Sequence, residues 1–171
     1  DGTRGPREWI VRIVHSGWSK VVTHPIFAAV NFAGSIIIVY FTPLFGVMLR
    51  YHIGHEFMMI HFTLTGYIFM LVLIGIDPIP YRPQYPMRLI MLIATLGYHA
   101  FVGISIMNSK ELLEASWFGN LGRTWGLSAL DDQKMGGALM WGIGEIPTMI
   151  VAIAVGFQWS MADKILAARI D

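Results

Sequence analysis

From Met140 to Trp159 the chain reads Met-Trp-Gly-Ile-Gly-Glu-Ile-Pro-Thr-Met-Ile-Val-Ala-Ile-Ala-Val-Gly-Phe-Gln-Trp, with one ionisable side chain, Glu145. A helix crossing the hydrocarbon core of a bilayer needs about 20 such residues, each advancing ~1.5 Å. Lipid offers the backbone no hydrogen-bond partner, so a run of this kind must satisfy its own amides and carbonyls as an α-helix. Three more stretches meet the same length requirement, about Ile26–Leu49, His52–Ile76 and Met87–Met107, and the last is best drawn from Met135 to Trp159. The expected fold is therefore all-α, a polytopic helical membrane bundle of four transmembrane helices. Composition agrees, with 55% hydrophobic and 13% charged residues and a mean hydropathy of +0.58, too apolar for an ordinary soluble or disordered domain. The absence of cysteine excludes disulfides, iron–sulfur clusters and thiolate metal sites. A net charge of +1 without a basic run gives no sign of a nucleic-acid partner.

Residues 1–25 read as an interfacial amphipathic helix. Trp9, Ile10, Ile13, Val14 and Trp18 stand beside Arg4, Arg7, Arg12 and Lys20, and His24-Pro25 ends the run. Residues 26–160 form the bundle, its first span interrupted near its end by Thr42-Pro43, and residues 161–171 form a tail. Asp77–Pro86 holds four prolines and predicts a short stiff turn. Asn108–Lys134, with Trp117, Phe118 and Trp125, is expected to fold against the membrane surface. Lysine and arginine number eight on the side of the two termini and four on the other, which places both termini in the cytoplasm. The chain begins at Asp1 with no signal peptide before it, the pattern of a processed product or of part of a longer protein.

In that topology the polar residues gather in the outer half of the bundle. The second span enters at His52 and carries His55, Met58, Met59 and His61 in its first turns, where residues three and four apart share a face. His99 falls in the outer half of the third span and Met107 at its end, while Met48 ends the first. Glu145 lies roughly 15 Å below Met135 along the fourth helix. Imidazole suits several transition metals and thioether sulfur selects Cu(I), so a cysteine-free His/Met set is a copper-like constellation suited to holding and passing an ion. Each residue also has a plainer reading. Methionine fills gaps in apolar packing, His52 suits a membrane interface, and His99 could simply bond a carbonyl.

Glu145 resists a plain reading most, because a carboxylate at that depth costs a few kcal/mol (about 2.5–3.5 on insertion scales) unless paired, protonated or lining a polar cavity. Its possible roles are a ligand or counter-charge beside a metal, a proton relay, or a carboxylic acid bonded across helices. Pro147 removes a nearby backbone donor, and Gly142 and Gly144 leave room for a close helix. Phosphate-binding, dinucleotide and serine-hydrolase motifs are absent. His55-Glu56-Phe57-Met58-Met59 begins like a zinc-protease helix but places Met59 where the second histidine belongs.

A series of motifs in order, Tyr40-Phe-Thr-Pro-Leu-Phe45, His55-Glu56 with Met58 and His61-Phe62, Gly75-Ile-Asp-Pro-Ile-Pro80 and His99-Ala-Phe-Val-Gly103 with Met107, continues beyond the third span. There follow Trp125-Gly126, Asp132-Gln133, Gly136-Gly137, Met140-Trp-Gly-Ile-Gly-Glu-Ile-Pro-Thr148, and Gln158-Trp159 with Asp163. With these motifs the chain resembles the CtaG family of bacterial cytochrome c oxidase assembly factors, some of which are fused to a CopD-like copper-resistance domain. The resemblance implies a non-enzymatic protein of the bacterial plasma (inner) membrane that binds copper and delivers it from the outer side to a haem–copper oxidase. Its implied partners are oxidase subunits and a soluble copper chaperone on the outer side. His55, Met58, His61, His99 and Glu145 fall on the family's motifs, with Asp132 and Gln133 at the outer end of the fourth span. Two departures stand out: relatives usually carry more spans before the Thr-Pro-Leu-Phe segment, and the pattern often has histidine where this chain has Met59. The expected copper set is thus His55, Met58, Met59, His61, His99 and Glu145, with Met48, His52, Met107, Asp132 and Gln133 supporting it or lining the way in. Two other readings stay open, a haem-binding membrane cytochrome, since facing histidines can ligate haem, and a metal-free accessory subunit of a respiratory oxidase.

Overall fold

A computed structural model describes residues 5–169 and is helical throughout its regular parts. Two short helices come first, α1 (Pro6–Val14) and α2 (Gly17–Val22). The stretch expected as one amphipathic helix is broken because the Ser16 side chain accepts from the Ser19 amide at 3.2 Å, capping α2 and ending α1. His24, extended ahead of Pro25, then resets the chain direction, since proline crowds a helical residue before it. The first expected span is likewise two pieces, α3 (Pro25–Tyr40) and α4 (Leu44–Arg50), bent by 75° at the Thr42-Pro43 step. Proline supplies no amide to continue the ladder, and Thr42 instead bonds the Ile38 carbonyl with its hydroxyl.

Two straight spans follow, α5 (His52–Ile74) and α6 (Tyr85–Met107). Gly75 ends α5 in the left-handed region at φ 63°, a conformation glycine adopts without strain. After α6, the four-residue α7 (Ala115–Phe118) folds over the end of the bundle, and α8 (Ala129–Ala167) completes it. Ser128 caps α8 by accepting from the Asp131 amide, and Asp131 and Asp132 complement the dipole of its first turn. The expected fourth span is the middle of this 39-residue helix, which runs through Pro147 and on through residues assigned from sequence to the tail. Residues 1–4 of the expected interfacial helix and 170–171 of the tail lie outside the described residues. By length and apolarity, α5, α6 and α8 qualify as membrane spans, and the bent α3–α4 pair reaches that length and apolarity only when its two pieces are counted as one span.

The most extensive helix contact joins α6 to α8. It is close because it is built on glycine: a Cβ on Gly137 would lie 2.6 Å from the Met107 amide nitrogen, and one on Gly103 would lie 3.0 Å from the Gly137 carbonyl oxygen. At the proline-loop end, Phe69, Val72, Leu73, Leu92 and Val155 form the main buried cluster. Arg88 locks that end. It is 3% exposed and donates to the Pro83 carbonyl at 2.8 Å, the Ile74 carbonyl at 3.2 Å and the Gln158 side chain at 3.3 Å. One guanidinium thereby satisfies the loose carbonyl end of α5 while tying α6 to α8. At the other end Val39, Phe45 and Met48 are buried together, and Phe118 packs on Phe45 with ring centroids 6.2 Å apart.

Candidate functional site

One turn of α3, Phe32–Ser35, receives both histidines expected at the centre of the site. From α5, Nε2 of His61 lies 2.7 Å from the Ser35 hydroxyl. From α6, the His99 ring lies parallel to Phe32, 8° between planes and 6.5 Å between centroids, while its neighbour Tyr98 donates to the Ala33 carbonyl. On α8, Gly144 lets His99 come close; a Cβ there would stand 2.7 Å from Nδ1. That nitrogen is buried and makes no hydrogen bond of good geometry, although the Met140 backbone of α8 comes within reach of the ring.

His99 also lines a cavity of about 540 Å³. Its wall is aromatic and aliphatic, with Phe32, Tyr40, Phe62 and Phe118, and His99 shares it with the thioether residue Met140. Asp132 and Gln133 form its polar side. Both are committed. Asp132 pairs with Arg123 at 2.9 Å, and Gln133 accepts from the Leu113 amide at 2.7 Å while donating to the Glu111 carbonyl at 3.0 Å. Gln133 thus fastens the segment carrying Leu112 and Leu113 over the cavity. A pocket this size, mostly apolar with a few polar groups, is the ordinary form of a small-ligand site.

The other expected residues are placed differently. Met58 packs with Val39, Phe45 and the buried Met48 in the apolar cluster, as filler does. Met59 is exposed, as are His55 and His52, the last 4.0 Å from Glu56. Met107 meets Gly137 through its backbone. Glu145, next to the glycine that faces His99, is half-buried and makes no hydrogen bond or ion pair among the described residues. Among the described residues, no three His, Asp or Glu side chains come close enough to share one ion.

The sequence model of the cytochrome c oxidase caa3 assembly factors matches residues 2–162. The chain belongs to this family. Similar proteins occur in mycobacteria: one of Mycobacterium leprae is 44% identical over 98% of this chain, and one each of Mycobacterium bovis and Mycobacterium tuberculosis are 42% identical over the same share. All three are described as uncharacterised, and the chain spans 25% of the length of each. No solved structure matches. In this member of the family, the sequence reading missed Ser35 and Tyr98, which tie α5 and α6 to α3. A hydroxyl inside an apolar span was the available signal for Ser35. Met140 was quoted in a family motif without a role, and only the helix packing puts it in the cavity wall.

Proposed function

We propose that this assembly factor takes up copper at the outer side of the membrane and passes it to a haem–copper oxidase, acting by holding the ion rather than by catalysis. The observation that carries the reading is His99, an imidazole lining a cavity whose wall also includes Met140. An imidazole with a thioether is a soft pair suited to Cu(I). His61 reaches the same turn of α3 and brings a second imidazole to that level of the bundle. Met58 and Met48 sit in packing, so the soft ligand moves in this reading from α5 to Met140 on α8. His55, Met59 and Glu145 belong to the route or to contacts with partners, since their side chains are open or unbonded. Oxidase subunits are the recipients, in a plasma membrane with both termini of this chain cytoplasmic.

Haem is the second reading; bis-histidine ligation would need a second imidazole beside His99, the one histidine among the described residues that lines the cavity. The test is metal analysis of the purified protein after loading with Cu(I), beside an absorption spectrum. His61→Ala and His99→Ala should each lose bound copper. Unchanged copper in both variants rejects the site, and a Soret band in the purified protein rejects copper in favour of haem.

A further inference from the structure

The Ser35 hydroxyl has two neighbours and a single proton. Its oxygen lies 2.5 Å from the Asn31 carbonyl oxygen one turn earlier in α3, and 2.7 Å from Nε2 of His61 on α5. A carbonyl oxygen can only accept. Were the serine proton turned toward His61, two oxygens would face each other at 2.5 Å with no hydrogen between them. The proton therefore goes to Asn31, and the contact with His61 must be made by a hydrogen on Nε2.

We infer that Ser35 is a positioning residue that fixes His61 as its Nε2–H tautomer, so that Nδ1 is the nitrogen His61 presents to a ligand. Ser35 is 7% exposed, which shields this bond from competing water. The ring is held on two further sides: Phe57 stacks on it at 5.9 Å and 18°, and Phe62 meets it at 61°. Nδ1 has no hydrogen-bond partner among the described residues and is not sealed off. A metal-binding histidine commonly donates its other ring N–H to a fixed acceptor, which orients the ring and raises its basicity. Here the acceptor is a serine oxygen whose own proton is tied to the helix backbone. The identity of the ligand as Cu(I) rests on the reading above; the tautomer rests on the hydrogen-bond geometry alone.

The experiment is ¹⁵N NMR of histidine-labelled protein in detergent at about pH 8, where neutral imidazole dominates. Wild type should show a single His61 species, protonated at Nε2, with a slowly exchanging ring proton. Ser35→Ala should lose that protection and average the two tautomers. Ser35→Thr, whose hydroxyl can make the same bond one turn back, should restore it. On titration with Cu(I), which is diamagnetic, the Nδ1 resonance should move, and affinity should fall about 10- to 100-fold in Ser35→Ala and recover in Ser35→Thr. An Nδ1–H form in wild type, a ring proton unaffected by Ser35→Ala, or copper shifting Nε2 instead would overturn the inference. A protected Nε2–H in a wild-type protein that takes up no copper would uphold the tautomer and reject the copper reading, so the two failures are told apart.

Discussion

Gly144 on α8 lies against the imidazole of His99 on α6, so close that a single added methyl would come within 2.7 Å of Nδ1. Two opposing effects make Gly144→Ala informative. Alanine in a helix interior is favoured over glycine by about 1 kcal/mol, which would raise the melting temperature if the ring had somewhere to go. His99 is instead held between Phe32 and α8. The melting temperature should fall and bound copper should decrease; a rise in stability with unchanged copper would show that the ring moves freely.

Gly137 poses a harder limit, because the atoms that a Cβ would meet belong to the backbone of α6 at Met107 and Gly103. Gly137→Ala should cost about 1–3 kcal/mol by overpacking, read as a lower unfolding midpoint in detergent. Gly136→Ala is the control, since nothing lies within 4 Å of its added Cβ; equal loss in both would refute close α6–α8 packing.

Arg88 should tolerate neither lysine nor methionine. Lysine keeps the charge but cannot reproduce the planar fork that serves Ile74, Pro83 and Gln158 together. Methionine strands those acceptors. With hydrogen bonds to charged groups worth about 1.5–3 kcal/mol each and some relief from no longer burying a cation, a net loss of about 2–4 kcal/mol is expected. Faster proteolysis of the Asp77–Pro86 loop would accompany it, and normal protease resistance would argue against the lock.

Gln133→Leu keeps the shape and removes both bonds to the Glu111–Leu113 segment. An unsatisfied amide costs about 1–3 kcal/mol, so the Leu113 amide should exchange with solvent about 10- to 100-fold faster while the rest of α6 and α8 is unchanged. Unaltered exchange at Leu113 would mean that the apolar contacts of Phe118 alone hold the segment down.

Glu145→Gln separates cost from use. No ion pair or hydrogen bond is lost among the described residues, and glutamine spares the apolar helix an unpaired carboxylate, so stability should hold or rise. Oxidase maturation in cells carrying the variant should nevertheless fall. Normal maturation would make Glu145 a bystander at the edge of the site.

The helical membrane class was legible because lipid leaves the backbone a single economical solution per span, and residues such as those from Met140 to Trp159 can adopt little else. The Thr42-Pro43 break was visible as an interruption, since proline's missing donor is a local property; the 75° bend depends on how α4 packs and was not. The site was legible only in part. His61 and His99 were singled out as polar residues in apolar helices, and both reach the same turn of α3. Their methionine companions were assigned by spacing along α5, yet spacing gives the face of a helix and not what that face meets. Met58 packs in the cluster of Met48 and Phe45, and the methionine that shares the cavity wall with His99 is Met140, 41 positions further along the chain.

The length of α8 carries a mechanical consequence. Its 39 residues extend roughly 58 Å, nearly twice the ~30 Å of hydrocarbon. The helix must therefore stand clear of the bilayer even after tilting. Met140, which lines the His99 cavity, and Gly144, which faces the His99 ring, sit on the same continuous helix as Asp163 and Lys164 near its far end. Pressure on that far end would be felt as a displacement at His99, as a mast carries load from the rigging to the keel.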